Sequence, residues 1–144
     1  MAILNYTTTI DPFNTIGEIQ AILVKHGASN ISVDYVNSSP LALTFLINLN
    51  GEFVNFRLPS NHTGVYKALC KDKDVPKRYK TEEQARKVAW RIIKDWVEAQ
   101  MAIIQAGLAT LPEVFLPYAV VANGQTLYES VSHNGMKFLT EAKS

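Results

Sequence analysis

The sequence is short of several features that would assign a function directly. It contains one cysteine, Cys70, so no disulfide can form within the chain, and this favours a reducing compartment. No apolar run approaches the roughly 18 residues that cross a bilayer, and the N-terminus lacks the basic and apolar regions of a secretion signal. These absences predict a cytoplasmic protein that does not enter a membrane. We interpret Cys70 as a small, buried hydrophobic residue.

Recognisable motifs for catalysis and metal binding are also missing. The three histidines, His26, His62 and His133, have no cysteine or acid at a metal-ligand spacing. The hydrolase motif GxSxG does not occur, and the seven glycines are too dispersed to form a phosphate-binding loop. We therefore predict a protein that is not an enzyme and has no metal or cofactor, with the histidines on the surface or capping helices. An enzyme whose catalytic groups assemble from distant positions is the alternative.

Turn signals and apolar alternation predict a small antiparallel sheet with a central β-hairpin. Asn50-Gly51 is the favoured pair for a two-residue turn, and it joins the apolar segments 42–49 and 52–58. The register set by this turn places two apolar pairs on one face: Ile47 with Val54, and Phe45 with Phe56. Two further strands are expected, over residues 2–10 and around residues 31–35.

Two helices are predicted to pack on this sheet. The first spans about residues 15–26 and ends at Gly27, and the longest begins at Thr81 and ends before Gly107. The fold class is therefore α+β, as one domain of 144 residues whose last part, 132–144, frays.

The long helix is apolar around most of its girth, which is typical of a central core helix or of one also buried in a partner. We infer a homo-oligomer, most simply a homodimer, and we expect the helix to cover Leu46 and Phe53 on the second face of the hairpin. Its narrow polar edge holds three pairs at the four-residue spacing of helical ion pairs: Glu83 with Lys87, Arg91 with Asp95, and Lys94 with Glu98.

Charge is unevenly distributed along the chain. Ten of the fourteen lysines and arginines but only four acids lie between Lys67 and Lys94, so this segment carries net +6 and the remainder net −5. A basic concentration of this kind indicates a phosphate-bearing or acidic partner. Arg86 is the best candidate on the helix, because Trp90 follows it at the four-residue spacing and Glu82, four residues before it, lies in the first turn, where the helix dipole already favours its charge. The loop 71–80 is expected to be exposed. The candidate ligand-binding residues are Arg57, Lys77, Arg78, Tyr79, Lys80, Arg86, Trp90 and Arg91.

The same region carries a resemblance to a known family. The segments KRY (77–79), TEEQAR (81–86), VAWRI (88–92), KDW (94–96), EVFLPY (113–118) and GQTLYE (124–129) resemble small, uncharacterised proteins of phages and prophages of Gram-positive bacteria. That family has no assigned reaction and no catalytic residues to transfer. The resemblance implies a viral accessory protein in the host cytosol, where common tasks are handling DNA and disabling host defences.

These observations lead to one functional hypothesis and two alternatives. The hypothesis is a non-enzymatic protein that binds a phosphate-bearing nucleotide and so sequesters a nucleotide immune signal, with the cations converging on one site. The first alternative is binding of single-stranded nucleic acid, whose bases would stack on the aromatic residues. The second is a protein–protein inhibitor that covers a host defence enzyme with its basic face.

Overall fold

An antiparallel sheet and a long helix organise the fold in the computed structural model, which describes residues 2–133. Within this range the elements are α1 (Pro12–Lys25), β1 (Ser29–Val36), β2 (Ser39–Leu49), β3 (Glu52–Pro59), α2 (His62–Lys71), a 3-10 helix (Lys77–Tyr79), α3 (Glu82–Gln105), α4 (Leu111–Phe115), a second 3-10 helix (Leu116–Tyr118) and α5 (Leu127–His133). The predicted α+β class is confirmed. Residues 134–144, most of the predicted frayed tail, lie outside the described residues.

The sheet has the order β1-β2-β3 and is built from two tight hairpins. Asn50 and Gly51 take the positive φ angles of 54° and 96° that the predicted turn requires, and the predicted register is confirmed. The other hairpin turns at Asn37 and Ser38, which also have positive φ, of 50° and 67°. The chain therefore re-enters the sheet at Ser39, directly after a segment that the sequence indicated only as the end of a strand.

The core lies between the apolar face of the sheet and the helices α1 and α3. Phe45 and Phe56 stack across β2 and β3 with ring centroids 5.5 Å apart. Phe115 of α4 meets both rings and that of Trp96 at 5.3 to 6.1 Å. This aromatic cluster fixes the five-residue helix α4 to the core, because so short a helix has little stability of its own.

The long helix α3 is central to the fold. Thr81 caps it by accepting a hydrogen bond of 3.1 Å from the Gln84 amide, and Gly107, at φ 78°, follows its end. The apolar surface of α3 is covered within the chain, since α1 and α2 both pack against this helix. The second face of the sheet is not covered as expected, because Phe53 is 64% exposed and Leu46 is only half-buried. The homo-oligomer stays a prediction.

The N-terminal segment is not the predicted strand. It forms a turn in which Asn5 has φ 66°. The side-chain amide of Gln84 donates to the backbone carbonyl oxygens of Tyr6 and Thr8 at 2.8 and 2.9 Å. A helix side chain thus satisfies carbonyl groups that a partner strand would otherwise satisfy. The first helix then begins at Pro12, three residues earlier than predicted.

Two predictions near the basic loop are also wrong. Cys70 is exposed, because the register of α2 turns its neighbour Leu69 into the interior. The loop after α2 is not wholly exposed, since Val75 is 2% exposed and packs against Leu69 and Ala85. Over the described part of the chain, no helix combines the length and the apolarity needed to cross a membrane.

Candidate functional site

Three of the predicted ligand-binding residues are engaged within the fold. Arg57 of β3 lies 3.4 Å from the carboxylate of Asp34 on β1. Arg91 of α3 contacts Glu18 of α1 at 2.6 Å. Trp90 is fully buried, so it packs in the core and offers no ring face to a ligand.

The helical ion pairs are only partly as predicted. Glu83 with Lys87 and Lys94 with Glu98 are confirmed, at 3.8 and 3.4 Å. The pair of Arg91 with Asp95 is wrong, because Arg91 turns to α1 and Asp95 accepts a hydrogen bond of 2.8 Å from the Asn5 amide.

Four further candidates lie just before α3. Lys77, Arg78 and Tyr79 form the 3-10 helix, and Lys80 follows Tyr79 directly. The Arg78 guanidinium stands 4.7 Å from the centre of the Tyr79 ring, and Tyr79 meets Tyr6 edge-on at 5.4 Å. None of the four lines the cavities around Arg86 described next. The expected convergence of all the cations on one site is therefore not found among the described residues.

Arg86 is the predicted residue that lines a cavity without a partner. This half-buried side chain forms no hydrogen bond or ion pair within residues 2–133, and its Nε is buried. The cavity has a volume of about 340 Å³. Its other walls are formed by Val36, Asn37, Ser39, Pro40, Leu41 and His62. The Nδ1 atom of His62 is likewise buried and has no partner in the described structure.

Three elements bring these groups together. His62 is the first residue of α2, whose start is fixed to β2 because the backbone and hydroxyl of Ser60 both donate to the Leu41 carbonyl, at 2.8 and 2.9 Å. The start of α2 forms one wall of the cavity, and the tight turn between β1 and β2 forms another. Arg86, in the second helical turn of α3, forms the third. Each wall belongs to a helix, a strand or the tight β1–β2 turn, so the cavity is held by the fold.

The electrostatics of this cavity favour an anion. No acidic residue of the described chain lines it, while the guanidinium of Arg86 carries a full positive charge. The N-terminus of the ten-residue helix α2 adds a partial positive charge beside His62. Phosphate and carboxylate groups are the ligands that such donors hold best.

Two side chains in the described part of the chain, those of Tyr66 and Glu113, have shifted pKa values, and neither lines the cavity at Arg86. A hydrogen bond with the Cys70 side chain is the main cause that raises the pKa of Tyr66. Hydrogen bonds from the backbone and the hydroxyl of Thr110 lower the pKa of Glu113. No group of three or more histidines, cysteines or acids within residues 2–133 could hold a metal ion.

The sequence singled out Arg86 but missed its neighbours. From the sequence, His62 is interpreted as a surface or capping histidine, and nothing near it in the chain indicates that it lines a cavity together with a residue of α3. Comparison with protein-family models, with curated proteins and with solved structures finds no match to this chain.

Proposed function

We propose that the protein binds a phosphate-bearing ligand without catalysing a reaction, and that the phosphate occupies the cavity lined by Arg86. The observation that carries the proposal concerns Arg86 and His62, which both line a cavity that has no acid among the described residues. Each has a buried nitrogen atom without a partner, Nε in Arg86 and Nδ1 in His62. A buried polar group without a partner costs about 1–3 kcal/mol. A phosphate oxygen in the cavity that accepted from the Arg86 guanidinium would form a charge-assisted bond.

The resemblance to phage proteins supplies a biological setting for this proposal. In that setting the ligand is a nucleotide signal of bacterial defence, and the protein lowers its free concentration by binding it in the host cytosol. The volume of about 340 Å³ supports a small ligand, since pockets for small molecules begin at about 300 Å³.

A thermal-shift and calorimetric screen tests this proposal. The probes are inorganic phosphate, pyrophosphate, ribonucleoside 5′-monophosphates, cyclic nucleotides and ADP-ribose. A ligand that binds only the folded state stabilises it by about 2.7 kcal/mol at a hundred times its Kd. The variant Arg86→Gln should lose binding, and Lys77→Gln, an exposed cation outside the cavity, should keep it. Unchanged binding by Arg86→Gln, or silence across the probes, would overturn the proposal.

The exposed cations Lys77 and Arg78 favour a second candidate function, in which this surface contacts single-stranded nucleic acid or an acidic host protein. Affinity for a labelled oligonucleotide should then fall steeply with salt, as counterions are released. The double variant Lys77→Gln with Arg78→Gln should weaken this binding and reduce its salt dependence, whereas Arg86→Gln should not. Binding that is insensitive to the double variant would reject this candidate.

A further inference from the structure

A pair of exposed aromatic rings stands beside the cavity. Phe13, near the start of α1, and Tyr35, near the end of β1, stack with centroids 6.1 Å apart and planes 24° apart. They are 53% and 52% exposed, so much of each ring is open to solvent. Two large exposed rings close together lose contact with water when a flat apolar group covers them, and this makes the pair a suitable stacking surface.

Phe13 connects this ring pair to Arg86. It lines a second cavity, of about 170 Å³, together with Arg86 and Lys87. This second cavity shares Ser39, Pro40 and Arg86 with the first, so the two adjoin at the Arg86 side chain. Tyr35, the second ring of the pair, directly precedes Val36 in the chain, and Val36 lines the first cavity.

The two cavities differ in charge. The first has Arg86 and no acid among the described residues, whereas the second also contains Asp11 and Glu83. Glu83 pairs with Lys87 at 3.8 Å, and one oxygen of Asp11 accepts from the Phe13 amide at 2.9 Å. The two acids balance Arg86 and Lys87 in the second cavity, so it attracts a phosphate less than the first cavity does, while the uncharged part of a ligand would find hydrogen-bond acceptors there.

We infer that the ligand is a nucleotide which lies across both cavities, with its phosphate on Arg86 and His62 and its base on the ring pair of Phe13 and Tyr35. This inference rests on the proposed function and adds the recognition of the base. Every base has a π face, so stacking of this kind accepts different bases. The ribose would lie beside Asp11 and Glu83, whose carboxylates accept hydrogen bonds from hydroxyl groups.

The test compares nucleotides with the same phosphate lacking a base. Calorimetry measures the Kd of the four ribonucleoside 5′-monophosphates and of ribose 5-phosphate for the wild-type protein and for Phe13→Ala, Tyr35→Ala and Tyr35→Phe. We expect each alanine variant to weaken nucleotide binding about tenfold, the loss that removal of one stacking ring gives. Neither variant should change the Kd of ribose 5-phosphate. Tyr35→Phe keeps the ring and should bind nucleotides as the wild type does.

The matched control is Phe53→Ala, which removes a ring of similar exposure from β3 at a position that lines neither cavity. It should leave all affinities unchanged. The inference is overturned, and the proposed function stands, if ribose 5-phosphate binds as tightly as the nucleotides and depends on Arg86. Both fall if neither these probes nor any of the phosphate, pyrophosphate, cyclic-nucleotide and ADP-ribose probes named above binds. Thermal unfolding of each variant confirms that it is folded before its affinities are compared.

Discussion

Arg91 of α3 donates a hydrogen bond of 2.6 Å to the carboxylate of Glu18 on α1, and the same nitrogen reaches the hydroxyl of Thr15 at 3.4 Å. The Arg91 side chain is 14% exposed and Thr15 is fully buried. Replacing Arg91 therefore removes two contacts between the helices and leaves a buried hydroxyl without its partner. We expect Arg91→Met to lower the free energy of unfolding by about 2 kcal/mol and Glu18→Gln by about 1 kcal/mol, both measured by urea denaturation.

The pair of Lys94 with Glu98 is the control for this prediction, because it lies on the same helix and links no second element. Glu98→Gln should change stability by less than about 0.5 kcal/mol. A larger loss from Glu98→Gln than from Arg91→Met would contradict the assignment of Arg91 to helix packing.

One substitution should have opposite signs at two glycines. Gly51 has φ 96° in the β2–β3 turn, and Gly17 lies within α1. A Cβ atom would meet nothing within 4 Å at either position, so contacts do not decide the outcome. Gly51→Ala should destabilise by about 1–2 kcal/mol because alanine is strained at positive φ. Gly17→Ala should stabilise by up to about 1 kcal/mol because alanine favours the helix.

Chemical denaturation of the two glycine variants gives both signs in one experiment. Equal effects at the two positions would show that the turn at Gly51 does not require left-handed backbone geometry.

The elements that could be predicted are those specified by adjacent residues. Asn50-Gly51 set the hairpin register by themselves, and the cap at Thr81 with the stop at Gly107 delimited the long helix within a residue or two. The strand expected over residues 2–10 failed because the partners of its carbonyl groups come from Gln84, 76 and 78 residues away. Local propensity contains no information about such a contact.

The candidate site shows the same difference between features specified by adjacent residues and features that depend on distant contacts. Arg86 was identified because Trp90 follows it at the four-residue spacing and Glu82, four residues before it, is already favoured in the first turn of the helix. The structure agrees, since Arg86 is unpaired among the described residues. The acidic partners of Arg57 and Arg91, Asp34 and Glu18, could not be predicted because they come from other elements. Helical spacing finds only ion pairs within one helix, so tertiary ion pairs stay hidden until the fold is known.

The two tryptophans should report burial separately. Trp90 is fully buried, whereas Trp96 is half-buried against Phe115 and Tyr118. In Trp96→Phe the remaining emission should be blue-shifted and resistant to acrylamide, and saturation with a bound nucleotide should not change it. In Trp90→Phe the remaining Trp96 should be quenched more readily. Quenching of Trp90 fluorescence by a bound nucleotide would indicate that Trp90 contacts the ligand, and it would contradict the burial of this residue in the core.

Stability should depend on pH through the capping box of α4. The backbone amide and the hydroxyl of Thr110 donate to Glu113 Oε1 at 2.9 and 3.0 Å, and these bonds lower the pKa of Glu113 below its ordinary value of 4.5. Since the folded state favours the ionised carboxylate, its contribution is complete above pH 4.5 and is lost as the pH falls through the lowered pKa. Glu113→Gln should therefore be less stable than the wild type at pH 7, and the difference should disappear in acid.

Thr110→Ala separates this capping effect from a general effect of charge. It removes the hydroxyl that caps α4 and should cost about 1 kcal/mol at pH 7. It should also bring the pKa of Glu113, followed by NMR titration of the carboxyl carbon, closer to 4.5, because one of the two hydrogen-bond donors is gone. A gap between wild type and Glu113→Gln that stays constant from pH 7 into acid would show that the carboxylate does not stabilise the start of α4 through these bonds.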